Sequence, residues 1–354
     1  MTLKMNNIEH IKTLARRIIT DLKPFQSARE EFIAEDRKMI LLDANENPNE
    51  TEFNRYPDPM QLNLKTCISE IKEVSINQIF LSNGSDEVFS QLIQVFCEPR
   101  KDNVIILPPT FGMYKICATI NGIAVKEVPL NLNFGLNIEK IIKTKDLNSK
   151  MIFVPSPNNP TGNCFSLNDI ELILNNFDGL VVLDEAYVEF SKNNSFLPRL
   201  NKFMNLIVTQ TFSKAQGMAG ARLGMTFAHP EIIKLLNKLK TPYNINSLTQ
   251  QAIINRLTQQ VKVENEVKIL LIEKDRLSLN FKKIKYIKKV FPSNANFILI
   301  RVDDSTKRYK ELLKRGIVVR NTSNQLGCKN TLRISVGTKK ENNALINALS
   351  DMDN

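Results

Sequence analysis

Leu180-Val181-Val182-Leu183 runs without alternation straight into Asp184-Glu185-Ala186-Tyr187. An apolar stretch that does not alternate fits a strand covered on both faces, as inside a mainly parallel sheet. Polar residues directly behind it mark the strand end where such sheets bind ligands. The pattern recurs. Val104–Leu107 leads to Pro108-Pro109-Thr110-Phe111-Gly112-Met113-Tyr114, Ile152–Val154 to Pro155-Ser156-Pro157-Asn158-Asn159-Pro160-Thr161-Gly162, and Leu206–Thr209 to Gln210-Thr211-Phe212-Ser213-Lys214. Leu223–Phe227 is a further buried run. Helical patterns lie between them: Val88, Phe89, Leu92, Ile93 and Phe96 share one face after Asn83-Gly84-Ser85, and Ile170, Ile173, Leu174 and Phe177 share another after Ser166. This is an α/β pattern, and the four loops should converge on one crevice holding an acid, a tyrosine, an asparagine, a lysine and an aromatic.

Outward from this region the organisation changes. From about residue 246 long helical patterns precede Phe297–Val302, Ile317–Val319 and Leu332–Val336 as expected strands, which describes a second, smaller α/β domain. Residues 1–45 read as an arm: a helix with Ile8, Ile11, Leu14, Ala15 and Ile18 on one face, then an irregular Lys23-Pro24-Phe25-Gln26-Ser27-Ala28-Arg29. The expected division is an arm over 1–45 that completes the small domain and reaches a partner subunit, a large domain over 46–244, and a small domain over 245–354.

Composition narrows the chemistry. The chain has 354 residues, 42% hydrophobic and 24% charged, with no apolar stretch long enough to span a bilayer and no leader-like apolar segment, so a cytoplasmic protein is expected. Its five cysteines are odd in number and scattered without a C-x-x-C pair, which argues against disulfides and zinc. With only His10 and His229, histidine triads and multi-histidine metal centres are nearly excluded, and no metal is expected. The net charge of +11 concentrates at Lys282-Lys283-Ile284-Lys285-Tyr286-Ile287-Lys288-Lys289, where Ile284, Ile287 and Val290 fit a helix with a solvated face. No nucleic-acid-binding module accompanies the charge, so neither nucleic acid nor membrane is an expected partner.

Asn158-Asn159-Pro160-Thr161-Gly162, Asp184-Glu185-Ala186-Tyr187 and Ser213-Lys214, with Arg222 eight residues beyond the lysine, stand in the order seen in fold type I aminotransferases, which the chain resembles. Asn54-Arg55-Tyr56-Pro57-Asp58-Pro59, Ser82-Asn83-Gly84-Ser85-Asp86-Glu87, Pro108 to Tyr114, and Leu332-Arg333-Ile334-Ser335-Val336-Gly337-Thr338 narrow the resemblance to the histidinol-phosphate aminotransferase family, over about residues 24 to 350. That family implies pyridoxal 5'-phosphate as cofactor. It implies transfer of an amino group from L-histidinol phosphate to 2-oxoglutarate, giving imidazole-acetol phosphate and glutamate, in histidine biosynthesis by a ping-pong course. A broader aromatic aminotransferase and a threonine-phosphate decarboxylase of the same fold remain the alternatives.

The resemblance also implies roles. Lys214 is the amine that forms a Schiff base with the cofactor aldehyde and then moves protons. Asp184 pairs with the pyridine nitrogen; Tyr187 and Asn159 hydrogen-bond the phenolic oxygen; Phe111 stacks on the ring. Gly84, Ser85 and Asp86 open a helix whose N–H groups take the phosphate, with Arg222, Ser213 and Thr211 offsetting the Asp86 charge. Tyr56 reaches the phosphate of a neighbouring subunit, which makes a homodimer part of the expectation. Arg333 and Arg320 resemble the substrate clamps, with Asn45 as a further substrate contact. Phe25 stands where a family tyrosine approaches substrate across the dimer interface, a departure that removes a donor to the substrate phosphate.

Overall fold

The structure is a computed structural model that describes residues 7–25, 27, 29, 39–191 and 195–353. Seven strands form one sheet: β1 (Ile79–Ser82), β2 (Asn103–Ile106), β3 (Ala124–Glu127), β4 (Ser149–Pro155), β5 (Leu180–Asp184), β6 (Leu206–Thr211) and β7 (Gly224–Ala228), in the order β1-β7-β6-β5-β4-β2-β3. Strands β3, β2, β4, β5 and β6 pair in parallel, and β7 runs antiparallel to both β6 and β1.

The central strands lack alternation because both faces are covered. Val181 and Leu183 pack into the core on one side with Ile152, Val154 and Val208; Leu180 and Val182 pack on the other with Met151, Phe153 and Ile207. Each fully buried side chain of this kind contributes about 1.5–3 kcal/mol relative to exposure, so reversing one of these strands toward water is prohibitive. The Ser85–Phe96 and Leu167–Asn176 helices bury the faces anticipated from their apolar spacing, and Ser166 caps the second by accepting from the Asp169 N–H at 3.0 Å. The two edge strands, β1 and β3, escape the sequence reading. β3 is short and half-exposed, so it carries no buried run to recognise.

A second sheet of four antiparallel strands, β8 (Ile287–Val290), β9 (Phe297–Val302), β10 (Arg320–Asn321) and β11 (Thr331–Ser335), has the order β10-β11-β9-β8. Two expectations change here. Ile317–Val319 is not a strand; the pairing begins one residue later, at Arg320. The lysine-rich segment is not a helix either, since the Gln260–Phe281 helix stops before it and Ile287–Val290 forms edge strand β8 with Lys288 and Lys289 exposed. Three-residue spacing over so short a run fits either element, and pairing with β9 decides it, while lysines on an edge strand discourage further strand addition.

The arm differs as well. Its helix is two, Asn7–Leu14 and Arg17–Asp21, because Arg16 is extended and donates its N–H to the Val95 carbonyl at 2.9 Å. The break shifts the phase, burying Ile19 and leaving Ile18 64% exposed. These helices pack on the large domain beside Phe96 and Leu236, with Lys238 donating to the Ile19 and Thr20 carbonyls, so residues 7–21 do not complete the small domain. The rest of the arm lies partly outside the described residues. Ile245, Ile253 and Leu257 belong to the core under the large sheet, which carries that packing past residue 244 through the Ser247–Leu257 helix. The Gln260–Phe281 helix then crosses over, with Val263 and Val267 beside Phe190 and Leu277 and Phe281 in the small-domain core.

Candidate active site

The loops after β2, β4, β5 and β6 meet at one end of the large sheet and face β10 and β11 across a cavity of about 540 Å³. Its walls hold Phe111, Asn159, Asp184, Tyr187, Thr211, Ser213, Lys214 and Arg222 from the large domain, Ser85 and Asp86 at the mouth of a helix, and Arg320 and Arg333 from the small domain.

Asp184 is the last residue of β5 and is only 6% exposed. Its Oδ2 accepts from the Tyr114 hydroxyl at 2.6 Å, and its Oδ1 accepts from the Ala186 N–H at 3.1 Å and more weakly from Thr209 at 3.4 Å. Among the described residues no cationic side chain forms an ion pair with it. Burial outweighs these donors and pushes its pKa up to about 6. Such a carboxylate is short of one positive partner. Glu185, next in sequence, turns the other way and accepts from Phe196 N–H, Ser195 and Gln210 beneath the crevice.

Lys214 follows β6 by three residues, and its Nζ lies 5.6 Å from the centre of the Tyr187 ring. It makes no hydrogen bond or ion pair among the described residues, and burial, then the nearby Arg333 charge, lower its pKa from the ordinary lysine value. Tyr187 packs edge-on to Phe297, and burial pushes its hydroxyl up to about 12.

The end of the cavity at the Ser85–Phe96 helix has the chemistry of an anion cradle. Gly84 has φ +85° and precedes the Ser85–Phe96 helix with no side-chain cap, which leaves the first N–H groups available. A Cβ at Gly84 would fall 2.5 Å from Arg222 Nη2, and one at Gly224 would fall 2.4 Å from the Ser85 nitrogen. Glycine at both places lets the guanidinium and β7 approach the helix mouth. Arg222 itself takes the left-handed φ of 54°, and its Nη2 lies 3.9 Å from Asp86, too far for a hydrogen bond. Thr211 Oγ1 accepts from the Ser213 N–H at 3.1 Å.

Arg333 and Arg320 are direct cross-strand partners on β11 and β10. Like charges so placed repel unless an anion lies between them. Arg333 also donates through Nη1 to Asn159 Oδ1. Because an arginine only donates, this contact identifies the amide oxygen and leaves the Asn159 NH2 group available as a donor.

Three candidates are not brought to this cavity within the chain. Phe25, 73% exposed, lines a separate hollow, while Tyr56 stacks on Tyr243 at 4.4 Å beside Asn45 in another. The sequence reading passed over Tyr114, Thr322 and Gln325, all on the cavity wall. Tyr114 sits three residues from Phe111 inside a motif already singled out, which was a usable signal. Thr322 and Gln325 had none, since only the docking of the small domain places them.

The family described as aminotransferase class I and II matches residues 27–349. A histidinol-phosphate aminotransferase from Christiangramia forsetii is 49% identical over 98% of this chain and 99% of its own length, and one from Bacteroides thetaiotaomicron is 48% identical over 96% and 98%. The chain belongs to the histidinol-phosphate aminotransferase family. Among solved structures, the histidinol-phosphate aminotransferase from Clostridium acetobutylicum superposes with a TM-score of 0.79 at 27% identity, covering 84% of this chain and 90% of that one. The cofactor of this aminotransferase is pyridoxal 5'-phosphate, and the residues fit it: a buried carboxylate lacking a cation, a free amine of lowered basicity, and a helix mouth under a guanidinium. No helix among the described residues is long and apolar enough to cross a membrane.

Proposed function

We propose that this aminotransferase moves the amino group of L-histidinol phosphate to 2-oxoglutarate, giving imidazole-acetol phosphate and glutamate in histidine biosynthesis. The observation that carries the substrate assignment is the Arg320–Arg333 pair opposite Lys214, because both donor and acceptor present an anionic group for such a pair to hold. The names of the relatives favour histidinol phosphate as the donor.

In this reading the Ser85–Phe96 helix mouth and Arg222 hold the cofactor phosphate, with Thr211 and Ser213 at its side. Asp184 keeps a proton on the ring nitrogen, Phe111 covers the ring, and Tyr187 with the Asn159 NH2 group orients the phenolic oxygen. Bound pyridoxal phosphate supplies the aldehyde that carries the amino group and a ring that accepts electrons. Lys214 would hold that aldehyde, and its Nζ, on the cavity wall beside Tyr187, would be the group that accepts a proton from the substrate Cα. A lowered pKa raises the share of neutral amine at neutral pH, which is the form that can accept that proton.

Tyr56, Asn45 and Phe25 take their roles in a homodimer, facing the crevice of a second copy; their exposure on the single chain supports this. The reaction belongs in the cytoplasm. Steady-state rates of the purified holoenzyme on histidinol phosphate, phenylalanine and threonine phosphate test the assignment. The highest kcat/KM is expected for histidinol phosphate with 2-oxoglutarate; faster turnover of phenylalanine, or carbon dioxide release from threonine phosphate, overturns it.

A further inference from the structure

The Tyr114 hydroxyl has one possible direction. Its ring is stacked on Phe153 with centroids 4.8 Å apart and planes 10° from parallel, and it meets Phe89 and Phe111 edge-on at 5.0 and 5.6 Å. Held between these rings and fully buried, the hydroxyl donates to Asp184 Oδ2 at 2.6 Å, the length of a charge-assisted O–H···O⁻ bond. Burial and the neighbouring Asp184 charge push its own pKa well above that of a free tyrosine, so it remains a donor across the working pH range. The other titratable groups acting on this pair are Asp86 at the helix mouth, Tyr187 after β5, and Lys214 after β6.

We propose that Tyr114 is a positioning residue that sets where the proton sits between Asp184 and the cofactor ring nitrogen. This rests on the reading of Asp184 as the partner of that nitrogen. A hydrogen bond to the charged form of a carboxylate stabilises that form and weakens it as a base. With Tyr114 in place the proton stays on the nitrogen, and the ring keeps its pull on electrons. Without it, Oδ2 keeps no protein donor among the described residues, and Oδ1 keeps only Ala186 and the weak Thr209 contact. The buried anion becomes costlier, the proton passes to the carboxylate, and the ring becomes a neutral, weaker electron acceptor.

The test loads wild type, Tyr114→Phe and Asp184→Asn with pyridoxal phosphate labelled with 15N in the ring and records the nitrogen chemical shift. Wild type should show a protonated nitrogen, and both variants a signal moved toward the neutral form. Tyr114→Phe should also lower kcat by about tenfold or more, with KM for 2-oxoglutarate nearly unchanged, since the hydroxyl touches no substrate. As a second probe with unchanged packing, 3-fluorotyrosine at position 114 is a stronger donor. It should move the pH midpoint of the bound cofactor's visible absorbance opposite to Tyr114→Phe, a sign reversal that packing alone does not give. If Asp184→Asn moves the nitrogen signal and Tyr114→Phe does not, or both position 114 variants move the midpoint the same way, the role of Tyr114 is refuted. If Asp184→Asn leaves the signal in place, the reading of Asp184 fails first.

Discussion

Adding one methyl group at Gly224 probes the anion cradle without touching a charged side chain. The new Cβ would fall 2.4 Å from the Ser85 nitrogen and 2.5 Å from the Gly84 carbonyl carbon, against an ordinary contact of 3.4 Å or more, so backbone must retreat by about 1 Å. Both atoms are main chain, and no flexible side chain can absorb the overlap. The helix mouth and β7 therefore separate, at a cost of about 1–3 kcal/mol for overpacking. A charge-assisted hydrogen bond between a helix N–H and a phosphate is worth about 1.5–3 kcal/mol, so losing one should weaken cofactor binding by roughly 10- to 100-fold. The assay is titration of Gly224→Ala apoprotein with pyridoxal phosphate, read by absorbance, with circular dichroism establishing that the variant is folded. A folded variant whose Kd lies within about twofold of wild type would refute the cradle, because the clash would then have relaxed away from the phosphate or the phosphate would bind elsewhere.

Arg333→Met should raise KM for both histidinol phosphate and 2-oxoglutarate by roughly 10- to 100-fold with a smaller loss of kcat, and unchanged KM values would remove its clamp role. Asp184 has a folded-state pKa of about 6, above its ordinary value, so the folded chain retains a proton between about pH 4 and 6 that the unfolded chain has released. Its contribution to stability is therefore lost as pH rises through this window, and the gap corresponds to roughly 3 kcal/mol at neutral pH. Cofactor-free Asp184→Asn should consequently melt higher than cofactor-free wild type near pH 7.5, with the difference shrinking toward pH 4.5; a difference independent of pH would contradict this. Tyr56→Ala and Lys214→Ala are each expected to be nearly inactive. If Tyr56 serves the neighbouring subunit, refolding the two variants together should restore activity, because mixed dimers contain one intact site, and a mixture as inactive as its components would place Tyr56 outside the partner's site.

The central strands were legible because burial on both faces writes an unbroken apolar run, and Asp184, Tyr187, Lys214 and Phe111 were legible as candidates because each lies within five residues of the end of such a run. The edge strand Ala124–Glu127 had no such signature, since one side of it meets water. Local spacing also misjudged the segment around Ile287, where pairing with a distant strand outweighed helical periodicity, and the arm, where one bond from Arg16 to Val95 broke the helix and turned Ile19 inward.

By itself, then, the order of residues determined the α/β class, the end of the sheet where the candidate site lies, and the kinds of side chain gathered there, because those depend on short-range pattern. Only the tertiary structure decided that Tyr114 and Asp184 share a proton-donating contact across 70 residues, that Arg320 and Arg333 face each other, and that Gly224 lies against the helix mouth. Such contacts join segments far apart in the chain, and their distances follow from how sheets, helices and domains pack, which no local pattern encodes.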